Sequence, residues 1–262
     1  NRYEWEVAYL AIVCGTGIVV PLDKALPNNE IESSIVRSEV EAIFYSEKYS
    51  EIMASIQKKG NTKVKYFISM DAEKQDFNKF SQKEITQKGK ELVEKGNRDF
   101  IDAKIDKDKM SIMLFTSGTT NMSKIVMLSH KNLCTNIIDI ANCFDICEND
   151  RMLSFLPLHH TFECTVGFLY PISAGCAIVF SKGVRHFSEE LKNYKITALI
   201  SVPVMFEKIY QKLMKTVKEK GKLETVKKGA AIAGILNKVG IDVRKKLFKE
   251  IHEGLGGELR LM

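Results

Sequence analysis

Short apolar runs alternate with longer amphipathic stretches through residues 1–70, and this alternation constrains the fold more than any other feature of the chain. Residues 5–14 (WEVAYLAIVC) carry apolar side chains at helical spacing, Gly15 and Gly17 break the pattern, and IVVPL at 18–22 reads as a short buried strand. From Asn28, NNEIESSIVRSEV places asparagine ahead of acidic residues, the signal of a helix start, and EAIFYS follows as a strand. Lys48 to Lys59 repeats the helix and VKYFISM repeats the strand. Strands separated by helices of about ten or more residues need crossover connections and therefore pair in parallel. The expected class is α/β, with alternating strands and helices forming largely parallel sheets.

Residues 71–109 are charged and weakly patterned, with Gly89 and Gly96 bracketing KELVEK as a surface helix; too few apolar residues are present to build a core there. This segment reads as a peripheral excursion between a first βα portion (1–70) and a second (110–262). In the second portion CAIVF and ALISV are strands joined by a helix around Ser188 to Tyr194. Pro203 opens a helix with Met205, Ile209 and Leu213 on one face, and such Met and Phe side chains as Met205 and Phe206 read as core. A lysine-rich loop, a helix over 240–251 and a final strand, GELRLM, complete the chain.

Between the portions lies IMLFTSGTTNMSKIVMLSH, residues 112–130. Thr116, Ser117, Thr119 and Thr120 supply hydroxyls, Gly118 permits close backbone approach, and Lys124 adds one cation. These are phosphate-binding ingredients, although a polar turn between strands has a similar composition. A Walker phosphate loop is excluded, because Ser123 precedes the lysine where glycine is needed and Ile125 follows it where Ser or Thr is needed. Ile, Val, Met and Leu after Lys124 predict a second strand, giving a strand-loop-strand turn. GTG at 15–17 lacks the third glycine of a dinucleotide fingerprint.

Ser129 is placed to cap HKNLCTNIIDIANCF, whose Leu133, Ile137, Ile140 and Phe144 fall at helical spacing, and His130 in its first turn reads as a capping or surface contact. Downstream, RMLSFLPL ends on His159 and His160, with Glu163 close behind. These three side chains lack the helical spacing of an HExxH metal site and read better as pocket lining. Six cysteines form no CxxC pair, the pattern of reduced thiols in a cytoplasmic protein. No apolar run reaches membrane-span length, and the first residues lack a basic signal-peptide region. The net charge of +6 concentrates in lysines between 208 and 228; without interleaved aromatics this argues against nucleic acid and leaves peripheral contact with an anionic membrane open.

Thr116, Ser117, Gly118, Thr119, Thr120, Lys124 and Val126 resemble the signature loop [ST]SG[ST]TGxPKGV of the adenylate-forming, AMP-binding superfamily. Asn121, Ser123 and Ile125 stand where that pattern has glycine, proline and glycine. FLPLHHTFE and VPVMFEKIY resemble the long-chain fatty acid–CoA ligase branch, with His160 and Glu163 matching its histidine and glutamate and Cys164 standing where it has arginine. The resemblance implies an incomplete N-terminal domain, with the C-terminal domain absent. It implies ATP and coenzyme A as co-substrates and Mg2+ as cofactor: a fatty carboxylate attacks the α-phosphate to give acyl-adenylate and pyrophosphate, and the coenzyme A thiol then displaces AMP. The phosphates would rest on Thr116, Ser117, Gly118, Thr119, Thr120, Asn121 and Lys124, with His160 bordering the acyl and nucleotide pockets and Glu163 among the nucleotide-binding residues. The 262 residues alone are expected to be inactive and to bind ATP weakly. Adenylation of an aryl or amino acid, or nucleotide binding without catalysis, remain alternatives.

Overall fold

The computed structural model describes the chain except residues 77–78, 117–122, 220, 239–242 and 244–247, and except the side chains of 212–213, 235–236 and 250–251. The chain divides into two units, Arg2–Asn136 and Ile137–Met262, the latter joined by Asn1.

In the first unit, α1 (Tyr3–Cys14) carries Glu4 and Glu6 in its first turn, where carboxylates favour the positive end of the helix, and buries Ala8, Tyr9 and Val13. Past it, the expected IVVPL strand contracts to a single parallel bridge, Val19 to Ile112. Val19 N donates to Ser111 O and Met113 N to Val19 O, both at 2.9 Å. Pro21, two residues on, has no N–H with which to extend that ladder. Helix α2 (Asn28–Ser38), strand β1 (Ala42–Tyr45), α3 (Ser50–Lys59) and strand β2 (Tyr66–Ser69) form the expected crossover unit. β1 and β2 pair in parallel, from Ala42 with Tyr66 to Tyr45 with Ser69. Ile31 and Ile35 of α2, Met53 and Ile56 of α3, and Tyr45 and Phe67 of the strands form one buried cluster. The helices thus bury their apolar stripes on the sheet.

The charged segment adds a short third strand, β3 (Phe80–Ser81), parallel to β2. Ser81 then caps α4 (Gln82–Glu94), its Oγ accepting from Glu84 N at 3.3 Å. The surface helix expected around KELVEK is longer than its glycines suggest, because the Ser81 cap starts it early and it runs through Gly89. Strands β4 (Met110–Thr116) and β5 (Lys124–Ser129) form an antiparallel pair. Helix α5 (His130–Cys143) follows directly, and Asn132 closes its start reciprocally: Asn132 N donates to Ser129 Oγ at 3.3 Å while Ser129 N donates to Asn132 Oδ1 at 2.9 Å.

The second unit contains a three-stranded parallel sheet of β6 (Arg151–Ser154), β7 (Ala177–Phe180) and β8 (Ala198–Leu199), in the order β7-β6-β8. Adjacent residues of the central strand enter different clusters: Met152 packs with Ile146, Tyr170 and Cys176, and Leu153 with Phe187, Leu191 and Ile196. Both faces of β6 are therefore covered, as a central parallel strand requires. Helix α6 (Tyr170–Ser173) supplies Tyr170, and α7 (Phe187–Asn193) supplies Phe187 and Leu191. The helix expected from Pro203 is α8 (Pro203–Glu219), and the lysine-rich stretch beyond it, expected as a loop, is largely helical as α9 (Leu223–Lys238). The helix expected over 240–251 is described only from Lys249, as α10 (Lys249–Gly254).

GELRLM reduces to one parallel bridge, Ala198 to Leu261. Leu259 and Leu261 pack against the two buried clusters, and an ion pair adds to this hold. Asp150, at the foot of β6, accepts Arg260 Nε and Thr197 Oγ1 on Oδ1 at 2.9 and 2.6 Å, and Cys147 N and Arg260 Nη2 on Oδ2. The Arg260 guanidinium, aided by Thr197 and the Cys147 amide against the effect of burial, holds the Asp150 carboxyl well below the usual carboxylate range.

Candidate functional site

The nucleotide-binding candidates lie at the open end of the β4–β5 hairpin. Thr116 and Lys124 are cross-strand partners, the last residue of β4 facing the first of β5, and both are exposed. Burial falls along β4: Ser111 and Ile112 are buried, Met113 to Phe115 are half-buried and Thr116 is exposed. Among the described residues no carboxylate neutralises Lys124. A hydroxyl and an unneutralised cation therefore flank the two ends of the same loop, an arrangement suited to anionic oxygens. Ser117, Gly118, Thr119, Thr120 and Asn121 lie outside the described residues.

His160 and Glu163 belong to the second unit, at the junction that follows β6. His160 is exposed on a turn closed by His160 N donating to Pro157 O at 3.0 Å, and its ring lies against that of His159 at a centroid distance of 4.3 Å. Glu163 opens a π-helix, Glu163–Leu169, a wide turn that recurs at functional sites. Its side chain is fully enclosed, at 0% exposure, and Oε1 accepts from Ser154 Oγ at 2.8 Å. Oε2 makes no close hydrogen bond. Burial pushes the carboxyl up to about 7, against the opposing pull of Ser154 Oγ and the Leu156 and Phe155 amides.

Two residues of this junction escape sequence reading. Ser154 looks like an ordinary strand terminus, yet its hydroxyl is the donor that orients Glu163. Gly167 lies under the carboxylate: a Cβ there would sit 2.7 Å from Glu163 Cδ and 2.8 Å from both oxygens. The four-residue spacing from Glu163 to Gly167 is the one available signal, and it acquires meaning only once the segment is known to be helical.

Among the described residues no group of three or more His, Cys, Asp or Glu side chains gathers in a way that would hold a metal ion. The described hairpin strands, MSIMLFT and KIVMLS, contain no carboxylate. This donor set fits phosphate oxygens and not magnesium.

Parallel three-stranded sheets flanked by helices, together with an antiparallel strand pair, define an α/β protein. The chain belongs to the AMP-binding enzyme family, whose profile matches residues 1–257. It is 29% identical over 284 residues to long-chain-fatty-acid–CoA ligase 5 from Mus musculus, across 100% of this chain and 40% of that protein. A long-chain-fatty-acid–CoA ligase (FadD1) from Archaeoglobus fulgidus shares the fold at a TM-score of 0.66 and 21% identity, over 80% of this chain and 41% of that one. ATP-bound MatB from Rhodopseudomonas palustris does so at 0.64 and 23%, over 79% of this chain and 39% of its own. The chain therefore spans 40% of the length of the mouse ligase. Among the described residues no helix is long and apolar enough to cross a membrane.

Proposed function

We propose that the protein carrying this chain activates a long-chain fatty acid with ATP and passes the acyl group to coenzyme A. The observation that supports this best is the pairing of exposed Thr116 and Lys124 at the mouth of the family's signature loop. A fatty carboxylate is already ionised near neutral pH, so its attack on the α-phosphorus needs no strong base. Its oxygen forms the new P–O bond as pyrophosphate leaves. The coenzyme A sulfur then attacks the acyl carbonyl, its proton is lost to solvent, and AMP departs.

The contribution of this chain is positioning and charge. Thr116, Ser117, Gly118, Thr119, Thr120 and Asn121 line the β- and γ-phosphates, and Lys124 offsets their negative charge as pyrophosphate forms. His160 borders the acyl and nucleotide pockets from its exposed turn. Glu163, enclosed and bonded to Ser154, acts by fixing the junction that carries His160. Magnesium carried by ATP would add charge neutralisation at the phosphates, and the described hairpin strands offer it no carboxylate. Because the chain spans 40% of its mouse relative, the 262 residues alone are not expected to form the thioester.

The test is ATP–pyrophosphate exchange by the full-length protein against a panel of fatty, aryl and amino acids. Exchange with long-chain fatty acids, with the ATP KM raised about tenfold by Lys124→Ala, is the expected result, a change equal to about 1.4 kcal/mol of lost binding. Exchange confined to aryl or amino acids would replace the substrate assignment. ATP binding without exchange on any acid would leave a nucleotide-binding module.

A further inference from the structure

Arg37, in the last turn of α2, reaches both arms of the signature hairpin from far away in sequence. Its Nη1 donates to Ser123 Oγ at 2.9 Å and its Nη2 to Ser123 O at 2.7 Å, across 86 residues of chain. The same guanidinium lies over the Phe115 ring, 5.3 Å from its centroid. Phe115 is the penultimate residue of β4 and Ser123 immediately precedes β5, so one side chain grips the strand entering the loop and the residue leaving it. Two parallel donors on the hydroxyl and carbonyl of one residue fix direction as well as distance, and stacking on the aromatic face fixes the plane. Proline at position 123, as in the usual loop pattern, would restrain the backbone from within, whereas serine leaves φ unrestrained. Arg37 supplies restraint from outside the loop.

We propose that Arg37 is a positioning residue for ATP. By holding Phe115 and Ser123 it keeps the neighbouring Thr116 and Lys124 in place before the nucleotide arrives, which lowers the ordering cost of binding. The proposal rests on the reading of the loop as a phosphate site. The competing role is purely local: a cation near a helix C-terminus is favourable wherever it points. Lysine at this position keeps that charge but cannot fork onto two acceptors, so Arg37→Lys separates the two roles.

The experiment measures kcat and KM for ATP and for fatty acid in the full-length protein, with thermal midpoints alongside. Arg37→Ala and Arg37→Lys should each raise the ATP KM about tenfold and leave the fatty-acid KM within about twofold. Ser123→Ala, losing one of the two hydrogen bonds, should raise it about threefold and add nothing in an Arg37→Ala background. If Arg37→Ala fails to fold, Arg37→Lys and Ser123→Ala carry the same comparison. Lys124→Ala serves as the reference. An ATP KM raised by Lys124→Ala but unchanged by both Arg37 variants overturns the proposal and leaves the phosphate site standing. An ATP KM unmoved by Lys124→Ala as well would overturn the phosphate reading and the role of Arg37 with it.

Discussion

Replacing Glu163 by glutamine isolates the electrostatic cost of enclosing its carboxylate. The unfolded chain ionises this group near its ordinary value of 4.5, whereas burial holds the proton in the folded chain up to about 7. Between those values the folded state binds the extra proton, so unfolding becomes easier as pH rises. The stabilising contribution of protonated Glu163 is fully present below pH 4.5 and is lost as pH rises through about 7. The difference of 7 − 4.5, or about 2.5 pH units, corresponds to roughly 3 kcal/mol. Glutamine mimics the neutral acid: its carbonyl can still accept from Ser154 Oγ, while its amide takes the place of Oε2 at a pH-independent cost of about 1–3 kcal/mol. Urea unfolding of both proteins at pH 5 and pH 9 removes every other titration from the comparison. The stability of the variant relative to the parent should rise by about 2.5 kcal/mol across that range, since part of the effect is already lost at pH 5. A difference that stays flat, or that moves in the parent's favour as pH increases, would refute the argument, because either means the carboxylate is ionised inside the fold without penalty.

The same junction makes a steric prediction: Gly167→Ala, whose methyl would meet the Glu163 carboxylate at 2.7–2.8 Å, should lower stability by about 1–3 kcal/mol, and pairing it with Glu163→Ala should cost less than the sum of the single changes. At the foot of β6, Asp150→Asn leaves Arg260 without its anion; since the arginine side chain is 41% exposed, the expected loss is about 2–3 kcal/mol at pH 7, below the full cost for a buried pair. The Asp150 carboxyl is held below its ordinary 3.8, so its contribution is present above that pH and disappears as pH falls further, and parent and variant should converge in acid denaturation curves.

What sequence made legible was local. The hydroxyls, glycine and lysine of the hairpin loop fall within residues 116–124, and the apolar runs of β4 and β5 on either side were enough to set the antiparallel pairing. The crossover of β1, α3 and β2 followed from lengths and periodicity alone. Interactions between distant residues were not legible: Arg37 meets Ser123 across 86 positions, and Asp150 meets Arg260 across 110. IVVPL and GELRLM have strand composition, yet each forms only one bridge, because a ladder needs a partner of matching length and apolar content cannot supply one. Helix α9 hid behind its lysines and behind Gly229 and Gly234, which broke the 3.6-residue rhythm without breaking the helix. The π-helical turn at Glu163 differs from an α-helix by backbone hydrogen bonding, which composition does not encode.

The pairing of Asp150 with Arg260 also sets a clock. Leu199 N donates to Leu261 O, and Arg260 N and Leu261 N both donate to Thr197 O, so the outer edge of β8 is closed by Leu261 and by Arg260, whose side chain also completes the Asp150 network. During synthesis, 110 residues separate Asp150 from its guanidinium partner. At translation rates of 5–20 residues per second this is an interval of roughly 5–20 s. Throughout it Asp150 lacks its counter-ion, and once β8 has been made its outer edge stays open until Arg260 and Leu261 follow, a window in which a nascent chain is exposed to chaperones and to misassembly.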